Sequence, residues 1–212
     1  MKKVQVMPRR GVLEEIGNAV THGVGSLFSI FVFVLMLIKS ESVIETISAI
    51  IYFIGMFMMF TMSCLYHAFK TDSKVKRLFR RFDYLSIYLL IGATYTPILL
   101  CYIGGALGIV VCSIQWAIIA TGVSIIGVFG PGRPKWLHFT LYFILGWCGV
   151  LFFPSLIKNL TFFLLILCGG LIYTLGIIPF ALKKKVAHFI WHFFVLFGAI
   201  VQWLGIFIAI YS

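Results

Sequence analysis

At 212 residues, 62% of them hydrophobic and 11% charged, with a mean hydropathy of +1.10, the chain lies outside the range of a water-soluble domain. A net charge of +11 raises nucleic acid as a partner, but the basic residues form short clusters between apolar stretches with no polar recognition surface among them, which excludes it. What remains is an all-α integral membrane protein with no room for a separate soluble domain.

The first 19 residues carry Lys2, Lys3, Arg9, Arg10, Glu14 and Glu15 ahead of any apolar run and read as a cytoplasmic N-terminal segment. Residues 20–212 read as a single transmembrane domain, a bundle of seven helices with spans at 20–38, 43–66, 83–101, 106–129, 137–153, 160–180 and 188–211. About 20 helical residues at 1.5 Å each cross a hydrocarbon layer of about 30 Å. The first span ends in IKSES with no small-residue cleavage pattern, so it is expected to stay in place as a helix. The fifth is held short by GPGRPKWLH before it and FPS after it. Cys64, Cys101, Cys112, Cys148 and Cys168 are scattered through apolar segments without CxxC spacing and read as packing residues. The pairs Gly104-Gly105 and Gly169-Gly170 read as helix-packing devices.

Placing the loops alternately on two sides gives one side fifteen of the seventeen basic residues, in four clusters, and leaves Lys39 and Lys158 to the other. By the positive-inside rule the N-terminus is cytoplasmic and, with an odd number of spans, the C-terminus is outside.

That orientation brings polar residues to a common depth. His188 and His192 lie three and seven residues past Lys185, about 5 and 10 Å into the membrane by helical rise. His67 ends the second span three residues before Lys70, and Asp83 opens the third two residues after Arg81. Ionisable groups inside a membrane face the bundle interior, where they pair or carry function. The i, i+4 spacing of His188 and His192 sets both imidazoles on one helical face. A third imidazole from His67 completes three nitrogens with a fourth position open, the donor set of catalytic zinc. HFIWH is not HExxH, so a base must come from another helix. Asp83 is the candidate, against the plainer reading of a salt bridge to Arg80 or Arg81. Ser63, four residues before His67, shares its face and could donate to an oxyanion, or could simply sit at a close helix contact. His138 reads as interfacial, and His22 as a hydrogen-bonding packing residue within reach of the cluster depth.

The pattern SCLYH at 63–67, Asp83 in DYLSIYLLIGATYTP at 83–97, HFIWH at 188–192 and EEIGNAVTHGVG near the start resembles the haemolysin III branch of the progestin and adiponectin receptor (PAQR) superfamily, over nearly the whole chain. The resemblance implies seven helices with a cytoplasmic N-terminus in a bacterial plasma membrane. It also implies one zinc ion per chain, near the cytoplasmic face, on His67, His188 and His192. Asp83 would hold the water that the zinc activates, and Ser63 would line the site. Because alkaline ceramidases share this residue set, the implied chemistry is zinc-dependent hydrolysis of a lipid amide or ester, with membrane lipids as partners and a role in membrane lipid homeostasis. Two other classes stand beside it: a cytolytic pore, as the family name suggests, and a non-catalytic membrane regulator or receptor-like protein in which zinc only staples helices. The chain shows no long N-terminal extension of the adiponectin-receptor kind, which weighs against that receptor role. The substrate and the oligomeric state stay open.

Overall fold

The computed structural model describes residues 8, 10–131, 134–182 and 184–212, with Lys135 described by its backbone alone. Lys2, Lys3, Arg9, Arg133 and Lys183, which enter the charge asymmetry, lie outside the described residues, as do the other positions among 1–7 of the N-terminal segment. All regular structure among the described residues is helical. The helices are α1 (Val12–Lys39), α2 (Val43–Ala68), α3 (Lys74–Pro97), α4 (Gly105–Phe129), α5 (Lys135–Trp147), α6 (Leu160–Ala181) and α7 (Ala187–Ile206). With their irregular extensions, all seven are long and apolar enough to cross a membrane, the number the sequence predicts.

Two starts differ from expectation. α1 begins at Val12 and α3 at Lys74, eight and nine residues before the predicted spans. Charges taken as loop residues belong to these helices. Glu14 and Glu15 occupy the first turn of α1, where a carboxylate complements the helix dipole. The Ser73 side chain caps α3 by accepting from the Lys76 amide at 3.0 Å.

α1 is amphipathic with its polar side inward. It buries Glu15, Asn18, Thr21, His22, Gly25 and Ser29 and exposes Val20, Val24, Leu27, Phe31 and Val34. In a bilayer the apolar face meets lipid at no cost, and the polar face must find partners inside the bundle. α2 packs along both α1 and α3, α6 along α7, and α1 meets α7 to close the ring. α3 is the central helix: 61% of its apolar window is buried, against 22% to 39% in the others.

Small residues allow the closest contacts. A Cβ at Gly55 of α2 would overlap Ala93 and the Leu89 carbonyl of α3, and one at Gly169 of α6 would overlap the Gln202 side chain of α7. The two glycine pairs therefore differ. Gly169 is a packing residue as expected, whereas Gly104 and Gly105 have φ of +66° and +61° and make the turn out of α3. Before that turn, Pro97 is followed by a π-helical stretch, Ile98–Ile103. The fifth span is irregular too, passing from α5 into a 3-10 turn, Cys148–Phe152, and one short helix, Phe153–Leu156. All five cysteines are free thiols.

Candidate metal centre

The end of the bundle where α1, α3 and α7 begin and α2 ends gathers the polar residues. His67 is the penultimate residue of α2; His188 and His192 occupy the first two turns of α7. Each of the three histidines offers a ring nitrogen within 4.8 Å of those of the other two. His188 Nε2 and His192 Nε2 are 3.3 Å apart. Val186, just before α7, holds a left-handed conformation at φ +66°, so a strained β-branched residue sets the entry angle of the helix that carries two of the three imidazoles.

His67 is held from behind. Its Nδ1 is 2.5 Å from Glu15 Oε2 and 3.3 Å from the Asn18 amide, and the second Glu15 oxygen lies 3.2 Å from Lys76 Nζ. Lys76 is 1% exposed and also donates to the carbonyls of His67 (3.3 Å) and Phe69 (3.0 Å). An imidazole whose Nδ1–H serves a carboxylate presents its Nε2 lone pair to a metal, and the carboxylate also fixes the ring plane. Glu15, Asn18 and Lys76 surround His67, and the spacing arguments did not single them out. The signal was present in α1 as a polar stripe, Glu15, Asn18 and His22, running down one face of an otherwise apolar helix.

His22 joins the cluster rather than standing apart as a packing hydrogen-bonder. Its ring stacks on His192 at 3.8 Å between centroids, and no hydrogen bond engages either of its nitrogens among the described residues. His138, expected at the interface, is buried, with its Nδ1 2.9 Å from the Tyr88 hydroxyl, away from the three-histidine group.

Asp83 and Ser63 line one cavity of about 780 Å³ together with His188, His192 and His22. Asp83 has His67, Ser63, Arg10 and Arg80 as its electrostatic neighbours. The plainer alternative, a salt bridge to Arg80 or Arg81, is absent among the described residues: Arg81 donates to the Gly127 carbonyl, and Arg80 lies against the Tyr84 ring. Beyond this polar end the walls turn apolar, with Ile87, Leu90, Phe143, Trp147 and Trp191.

The donor set fits a metal ion. His67 Nε2 is buried and meets no hydrogen-bond partner among the described residues, and a buried polar atom left unsatisfied costs about 1–3 kcal/mol. Two nitrogens each about 2.0–2.1 Å from one tetrahedral ion stand about 3.3–3.4 Å apart, the separation found between His188 and His192. Three imidazoles suit a divalent transition metal.

Seven membrane-crossing helices enclosing a three-histidine group able to hold a metal define the class of protein. The family model that matches, described as haemolysin-III related, covers residues 11–203, and the chain belongs to the haemolysin III family, as its motifs indicate. It is 37% identical to Hemolysin-3 of Bacillus cereus over 194 residues (89% of this chain, 88% of that one). Identity is 34% to a Hemolysin-3 homolog of Bacillus subtilis, over 89% and 90% of the two chains. It is also similar to the human monocyte to macrophage differentiation factor, at 29% over 201 residues (91% of this chain, 83% of that one).

Proposed function

We propose that the cavity is the active site of an intramembrane zinc-dependent hydrolase that cleaves the amide or ester bond of an acyl lipid, and so adjusts the lipid composition of a bacterial plasma membrane, with the N-terminus in the cytoplasm and zinc on His67, His188 and His192. The observation that carries this reading is that His188 and His192, with His67 against both, share one cavity with Asp83 and Ser63, and that this cavity runs on into an apolar compartment.

Zinc held there would supply Lewis acidity, polarising the scissile carbonyl and making water a usable nucleophile near neutral pH. The chain's own residues do the rest. The Asp83 carboxylate orients the attacking water, takes its proton and passes that proton to the leaving nitrogen or oxygen. The Ser63 hydroxyl donates to the oxygen on which charge develops. Glu15 keeps His67 in one tautomer and one orientation, and the aromatic walls hold the acyl chain and keep bulk water out.

The test is fatty-acid release from a panel of ceramides and acyl esters by detergent-purified, zinc-loaded protein, with Asp83→Asn alongside. The expected result is that Asp83→Asn keeps its zinc and loses turnover by about 10²–10⁴-fold. Wild type that holds zinc and turns over no lipid in the panel refutes the enzyme. The Glu15–His67–Lys76 network, which ties α1, α2 and α3 together, favours a second reading, a structural zinc that staples helices; there Asp83→Asn is silent and loss of any histidine unfolds the bundle.

A further inference from the structure

The cavity has two chemical halves, and the polar half carries more positive charge than the proposed reaction uses. Its charged lining among the described residues comprises Arg10, Arg80, Lys184 and Lys185 against Glu14 and Asp83, four cations to two carboxylates. Topology alone explains a basic residue that sits in water, as Lys184 and Lys185 do, both being exposed. It does not explain the two arginines. The Arg10 side chain is 14% exposed and Arg80 is 8% exposed, so both guanidiniums have been taken largely out of water and set into the cavity wall.

Both have Asp83 among their electrostatic neighbours, but their N–H donors are matched only in part. Glu14 Oε1 reaches only Arg10 Nε, at 4.0 Å, and Arg10 Nη1 is buried with no hydrogen-bond partner among the described residues. Arg80 has its guanidinium 5.8 Å from the Tyr84 ring centroid and makes no ion pair among the described residues. A buried guanidinium whose N–H donors lack acceptors is an expensive feature for a fold to keep. A guanidinium presents a planar fork of N–H donors that matches the oxygens of a carboxylate or phosphate two at a time. An uncharged amide or hydroxyl head would leave both forks unmatched.

We infer that the ligand of this cavity is an acyl lipid whose head carries a phosphate monoester, with the phosphate held by Arg10 and Arg80 and an acyl chain in the aromatic compartment. The inference rests on the reading of this cavity as the place where an acyl lipid is cleaved. A phosphate monoester carries a charge of about −1.5 to −2 near neutral pH, and its three terminal oxygens serve two forks at once. A cavity of about 780 Å³ with apolar walls has room for an acyl chain beside its polar end. Asp83 and Ser63 line the same cavity, with Arg10 and Arg80 among the electrostatic neighbours of Asp83, so a lipid held by the arginines has its head group near both.

The experiment measures binding, by native mass spectrometry or calorimetry, to the full chain purified in detergent with its metal. The probes are an oleoyl lysophosphatidate, the monoacylglycerol of the same chain, and inorganic phosphate. Lysophosphatidate is expected to bind at least about tenfold more tightly than the monoacylglycerol, and Arg10→Gln and Arg80→Gln are each expected to reduce that advantage by about tenfold, with metal content unchanged. Equal binding of the charged and neutral lipids overturns the inference, as does a preference that survives both substitutions. Inorganic phosphate binding as tightly as the lipid also overturns it, leaving a free-phosphate site. Should Arg80→Gln fail to fold, Arg10→Gln and the three-probe comparison on wild type still decide. Because no turnover is read, a protein that binds lysophosphatidate and cleaves nothing upholds this inference and refutes the hydrolase. Equal binding of the two lipids with active turnover does the reverse.

Discussion

Glu15→Gln tests whether the metal centre extends past its three histidines. The substitution keeps the length of the side chain and an oxygen for His67 Nδ1–H, but removes the charge that faces His67 at 2.5 Å and Lys76 at 3.2 Å. Two consequences follow. A carboxylate behind a metal-bound histidine raises the basicity of the ligand and fixes its ring, and removing such a partner lowers metal affinity by about 10–100-fold. Lys76, 1% exposed with Glu15 as its ion-pair partner, is left with two carbonyls and the Tyr66 ring, 5.0 Å away. Breaking a buried pair from one side costs about 3–5 kcal/mol. Glu15→Gln is therefore expected to bind zinc about 10–100-fold more weakly in a chelator competition and to unfold earlier on heating in detergent. Adding Lys76→Met should recover much of the lost stability, because the orphaned ammonium is then gone, but none of the lost affinity. Wild-type affinity in Glu15→Gln would refute the proposed role of the carboxylate. Recovery of affinity in the double variant would show that the lysine rather than the carboxylate acts on His67.

Three further outcomes follow from the packing. Gly25→Leu places side-chain atoms where the Phe60 ring lies, and Phe60 in turn packs edge-on against His22 at 5.2 Å; overpacking of this kind costs about 1–3 kcal/mol, read as a lower melting temperature. Val186→Gly releases a left-handed β-branched residue whose side chain is 48% exposed and contributes little packing; the gain of about 1–3 kcal/mol exceeds the added chain entropy of about 0.5–1 kcal/mol, so the melting temperature should rise, and a fall would show that Val186 is not strained. His138→Phe breaks the contact with the Tyr88 hydroxyl and should lower stability by about 1–3 kcal/mol while leaving metal stoichiometry unchanged; loss of metal would place His138 in the centre after all.

The seven spans were legible because a helix that meets lipid needs no periodicity, only about 20 apolar residues in a row. The same criterion misplaced the starts of α1 and α3, since in one dimension a charge on a helix, buried like Lys76 or exposed like Lys74, looks like a charge in a loop. The metal group was legible in part for a similar reason. His188 and His192 announce themselves by their spacing, and His67 and Asp83 by depth, whereas Glu15 matters through a contact with His67, 52 residues away. Its one local trace is the polar stripe on α1.

Lys76 marks where such reading stops. It belongs to a cluster of six basic residues, Lys70, Lys74, Lys76, Arg77, Arg80 and Arg81, which the topology argument treats as interchangeable. In the folded chain they are not. Lys70, Lys74, Arg77 and Arg81 are exposed, Lys76 is buried against Glu15 and His67, and Arg80 is buried in the cavity wall. A count of charges fixes the side on which a loop lies and cannot tell which of them have left the water. Lys74 and Lys76 are two residues apart on α3, so they point to different faces of the helix, and only the packing of α1 and α2 against one of those faces decides which lysine becomes part of the site. A Lys74→Met and Lys76→Met pair separates the two roles: each removes the same topological charge, but only Lys76→Met leaves Glu15 buried without a counter-ion and lowers stability by about 3–5 kcal/mol.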